Sequence, residues 1–166
     1  MSAPSETFVT EEIRDELERI LEKEKSPYAG SVYEIELPDV WRDIWVLQEY
    51  PKTGEAIVND EDGPIGKVFW TTGLTFGEDM MGTCVEVQLL DVYFVPKGMK
   101  YRKVKSDVAM NFSKVVEMTA IVRDDDEDAE RLEDTATYMM EALSEVDIDC
   151  SEVEEDDIEI LEEGVA

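Results

Sequence analysis

VVEMTAIVRDDDEDAERLEDTATYMMEAL, residues 115–143, changes its period half-way along. Val116, Met118, Ala120 and Val122 alternate with other residues, the period of a strand with one buried face. From Ala129 the apolar residues fall at helical spacing: Ala129, Leu132, Ala136, Met139, Leu143 and, just beyond, Val146 share one face. Five consecutive acids, Asp124 to Asp128, separate the two patterns. The spacing predicts a strand that turns into a helix covering its own sheet, and so an α+β fold.

The acid run invites a metal or catalytic reading, and its local chemistry argues for a simpler one. A calcium loop places glycine at its sixth position, where this run has Ala129. Carboxylates at a helix start accept bonds from unpaired backbone N–H groups and oppose the positive end of the helix dipole. Asp124, Asp125 and Asp126 are therefore expected as helix-capping residues.

Upstream, Ile13, Leu17, Ile20 and Leu21 form an apolar stripe, and Thr10 can cap a helix over about residues 10–24. Ser26-Pro27 and Gly30 are expected to end it. SVYEIEL and DIWVLQEY (residues 43–50) read as strands. Pro51 to Gly54 reads as a turn into EAIVND, NDEDGPIG as a hairpin turn, and residues 66–73 as the returning strand. Thr75 to Gly82, with Met80 and Met81, reads as a mobile or interfacial loop. The long apolar run TCVEVQLLDVYFVPKG has Val85, Val87, Leu89, Tyr93 and Val95 at one parity. It and the segment at about 104–122 are expected to form an extended hairpin or to neighbour each other. One domain is expected over residues 1–146, with its core within 10–146. An acidic C-terminal arm follows at 147–166; Ile158 and Ile160 alternate there with acids, as in a short edge strand or an arm that orders on a partner.

The chain has 166 residues and a formal net charge of −28, with 43 acids against 15 basic residues and no histidine. The first 122 residues alone hold 23 of the acids and 13 of the basic residues, so a tail does not explain the charge. Such a charge repels itself in dilute buffer, but at molar salt the Debye length falls to about 3 Å. A protein adapted to molar salt is expected. Against this acidity, Lys97, Lys100, Arg102, Lys103 and Lys105 crowd into PKGMKYRKVK, with no acid between Asp91 and Asp107. Read as a hairpin tip, with Tyr101 among them, they are candidate subunit contacts, meeting acids of a neighbouring copy or a nucleic-acid backbone. The alternative is that they balance acids of their own fold.

No active site is legible. Without histidine there is no Ser-His-Asp or Cys-His arrangement, and zinc loses its commonest nitrogen ligand. No phosphate-binding glycine motif occurs, and in so acidic a chain paired carboxylates arise by composition alone. No catalytic residue, cofactor or metal is expected. Cys84 and Cys150 can pair or stay free. No apolar run is long enough for a membrane helix, and the N-terminus lacks the character of a signal peptide.

The order of helix, strands with a long hairpin, and then strand, acidic turn and amphipathic helix resembles the tail-terminator and tail-completion proteins at the head–tail junction of tailed viruses. Val116, Met118, Ala120 and Val122 match that family's strand; Ala129, Leu132, Ala136, Met139 and Leu143 match its helix. The family usually has further strands after this helix, where here the acidic arm stands. The resemblance implies a structural virion protein and no enzyme: a ring of about six copies that caps the tail tube and joins it to the neck or connector. Its partners would be other copies of itself, the tail-tube protein and the neck protein, with DNA passing through the lumen. It would be assembled in the host cytoplasm, and the salt signature suggests a haloarchaeal host. Met80, Met81, Tyr101, Trp41, Trp45 and Trp70 would serve as apolar contacts. A tail-tube or neck-adaptor subunit is the nearest alternative; an acidic regulator that mimics DNA is an alternative of another class.

Overall fold

The computed structural model describes residues 5–36, 52–79, 82–110, 114–144 and 153–166. The chain divides into two compact units, Met1–Lys97 and Gly98–Ala166, where one domain with a trailing arm was expected. Each unit has an antiparallel sheet with a helix packed on it, as the α+β reading requires.

The first unit opens with helix α1, Ser5–Lys23. Thr10 lies inside it and does not cap it. Nothing in SETFV opposes a helix by propensity. Ile13, Leu17 and Leu21 are fully buried, each burial stabilising by about 1.5–3 kcal/mol. The helix stops through backbone geometry: Lys25 takes φ 52°, Ser26 N–H donates to the Leu21 carbonyl and Lys25 N–H to that of Glu22. This is the paired-bond C-terminal motif that usually employs glycine.

The sheet of this unit has the order β1-β2-β3-β4: Glu34–Ile35, Lys52–Asp60, Gly63–Asp79 and Gly82–Pro96. The expected turn at Asp60–Gly63 is present, with Asp62 N–H donating to Asp60 Oδ1 at 2.8 Å and Gly63 at φ 118°. Two boundaries move. Lys52, Thr53 and Gly54 belong to β2 and not to a turn, because they continue the ladder with Thr72, Thr71 and Trp70. The supposed loop from Thr75 is largely strand, since β3 stays paired with β4 out to Asp79↔Gly82. The long hairpin is therefore β3–β4. A bulge after Thr71↔Asp91 shifts the register to Thr72↔Leu89, so Leu89 packs with Val92 and Phe94 and not with Tyr93 and Val95. Residues 43–50, Trp41, Trp45, Met80, Met81, Val146 and Cys150 lie outside the described residues.

The second unit has a three-stranded sheet of order β6-β5-β7: β5 is Lys100–Met110, β6 Lys114–Arg123 and β7 Glu159–Val165. Helix α2, Asp128–Ser144, packs on β6 and β5. Val116, Met118, Ala120 and Val122 meet Ala129, Leu132, Ala136 and Met139 in one core, together with Val104 and Val108. The acidic arm closes this unit: Val153 is buried in its core, a 3₁₀ turn covers Glu155–Asp157, and β7 pairs with β5.

Candidate functional site: a basic strand between its neighbours

PKGMKYRKVK is not a hairpin tip. Lys97 N–H donates to the Ile65 carbonyl at 2.7 Å, ending the first unit, and Gly98 turns at φ 83°. From Lys100 onward the basic residues lie on β5, the central strand of the second sheet. The alternation explains why: Val104, Ser106 and Val108 are buried, while Tyr101, Lys103, Lys105 and Asp107 take the opposite face.

Each cation has a definite position. Lys97 and Lys100 are exposed, and the Lys100 carbonyl accepts the Asp124 N–H at 2.9 Å. Tyr101 stands opposite Gly164, and a β-carbon there would lie 2.6 Å from the phenol oxygen, so the ring lies across the glycine. Arg102, on the helix-facing side, makes a two-pronged ion pair with Asp128 at the start of α2: Nε donates to Oδ2 at 3.2 Å and Nη2 to Oδ1. The hydrogen bond that Arg102 donates to Asp128 raises the Arg102 pKa above its ordinary value against the opposing effect of burial; the charges of Asp128, Asp124 and Glu163 add to it. Lys103 lies between Ile121 and Glu162. Lys105 Nζ sits 3.5 Å from Glu159 and 3.9 Å from Glu117.

The acid run takes its shape from the same chemistry. α2 begins at Asp128, and the Glu127 carbonyl accepts the Arg131 N–H at 3.0 Å, so the N-cap position falls at Glu127, and Asp124, Asp125 and Asp126 lie in the turn before it. They form the turn, with Asp126 N–H donating to the Arg123 carbonyl at 3.0 Å. The buried Arg123 guanidinium pairs with two of their carboxylates, the exposed Asp125 at 3.1 Å and the half-buried Asp126 at 3.6 Å. Desolvating an arginine is costly unless carboxylates pair with it, which gives these acids a role within the turn.

The arrangement is an internally compensated ion network. On the face away from α2, Lys103 and Lys105 sit among Asp107, Glu117, Glu159 and Glu162, a sign that repels a nucleic-acid backbone. Of the expected contact residues, Lys100, Tyr101, Arg102, Lys103 and Lys105 are brought together on one strand; Lys97 closes the first unit instead. Trp70 is 2% exposed, with its ring over Gly54, so it is core and not a surface contact. The functional partners invisible in sequence are Asp128, Glu159, Glu162 and Gly164. The one available signal was the complementary charge of KYRKVK and EILEEGV. Among the described residues, no three histidine, cysteine or acidic side chains gather as a metal site, and no helix is long and apolar enough to cross a membrane. Comparison with protein-family models, curated proteins and solved structures yields no match.

Proposed function

We propose that this chain is a structural subunit of a ring assembly, of the tail-terminator kind that joins tail tube to neck in a tailed virus adapted to high salt. The observation that carries the reading is the folded order of the second unit. Strand β6, an acidic turn and α2 lie on an antiparallel sheet, and a further strand, β7, follows the helix. That order is the one the tail-terminator resemblance implies, including its later strand.

Ring closure needs two different patches that meet between copies. The outer strand β6 pairs only with β5 among the described residues, which suits association between copies along that sheet edge. Within the basic stretch, Lys97 and Lys100 are the exposed residues suited to a neighbour's acids, since Arg102 and Lys105 engage acids of their own unit. Reversing both, Lys97→Glu with Lys100→Glu, should shift particles in 2 M salt toward single chains, read by light scattering after size separation. Unchanged assembly would reject their role.

A further inference from the structure

β7 is an unusual edge. Its seven residues, EILEEGV, are exposed almost throughout: Ile160 is 50%, Leu161 44% and Val165 57% exposed. Among the described residues it is hydrogen-bonded to β5 alone, so its other edge presents unpaired backbone donors and acceptors. The three glutamates stand next to the most basic strand of the chain: Glu159 opposite Lys105, Glu162 opposite Lys103 and Glu163 opposite Arg102. The strand is thus held to β5 by its ladder and by charge of opposite sign.

The same glutamates govern what the open edge can accept. Like charges directly opposite one another destabilise an antiparallel pair, so a second copy's β7 is a poor occupant. The chain's own basic strand cannot fill the edge from another copy, because β5 is central with β6 and β7 on its two sides. From this we infer that the outer edge of β7 is a docking site for an extended segment of a different protein, one in which lysine or arginine alternates with apolar residues. Such a segment continues the sheet through backbone bonds, sets its cations against Glu159 and Glu162 on one face, and lays its apolar residues beside Ile160 and Val165 on the other. Leu161 lies at the register shift between Ile160 and Glu162 and has no partner residue on β5, so it is offered to the newcomer alone. The inference stands on the second unit by itself and does not depend on the virion reading.

The test uses the full chain with the peptide KVKVKVK as probe, and KGKGKGK as a peptide of equal charge that resists strand formation. Affinity is read by fluorescence anisotropy, and binding position by amide hydrogen exchange. The expected result is new protection at amides of β7, and binding of KVKVKVK at least about tenfold tighter than KGKGKGK. Leu161→Lys should weaken KVKVKVK several-fold while leaving β5–β6 protection unchanged. Equal binding of both peptides would show attraction to net charge alone and overturn the inference. So would absence of new protection at β7, whether the edge stays open or another copy already fills it.

Discussion

Arg102 and Asp128 are 26 residues apart and meet where β5 passes the first turn of α2. Both side chains are about three-quarters removed from solvent, so the pair exceeds the worth of an exposed ion pair, and each partner becomes costly once the other is lost. A double-mutant cycle of Arg102→Ala and Asp128→Ala in urea should give a coupling of about 1–2 kcal/mol. Asp124→Ala, by contrast, should change stability by less than about 0.5 kcal/mol, because Asp124 is exposed and its structural role is carried by its backbone N–H. Equal losses at Asp124 and Asp128 would restore a capping role for the acid run. At this scale the sequence was least legible. Five acids before a helix do satisfy the rules for caps; what decides their use is Arg102, from a distant strand, and the burial of Arg123, which no local window contains.

Among the elements, the strands and helices whose apolar period faces a core were readable: Ile13, Leu17 and Leu21 on α1, Leu132 and Ala136 on α2, and the alternating face of β6. Two kinds of element were not. β7 has too few buried side chains to announce itself, since an edge strand draws its stability from its neighbour's ladder and charge. The β3–β4 hairpin hides its register because the bulge at Thr71–Thr72 moves Leu89 to the opposite parity from the one its spacing suggests. Beyond the β7 ladder, the buried side-chain anchor of the C-terminal residues is Val153, 8% exposed in the core of the second unit. Val153→Ala should therefore cost about 1–3 kcal/mol and speed amide exchange in β7 more than in β6. Loss confined to global stability, with β7 and β6 affected alike, would mean that β7 holds without this anchor.

For the whole molecule, the net charge of −28 outweighs every local charge balance. The basic strand is compensated within its own sheet, while Glu154, Glu155, Asp156 and Asp157 stand exposed in a row before β7. Their repulsion is relieved only by screening. Raising salt from 0.1 to 3 M should stabilise the fold by a few kcal/mol, which at this size raises Tm by roughly 10 °C. A Tm flat across that range would remove the salt-adapted reading. Whether the chain is a ring subunit is decided by particle mass in 2–3 M salt, measured by light scattering and checked by electron-microscopic class averages. A closed ring of about six copies of the 18.9-kDa chain is expected. A single chain or a dimer as the sole species would contradict it.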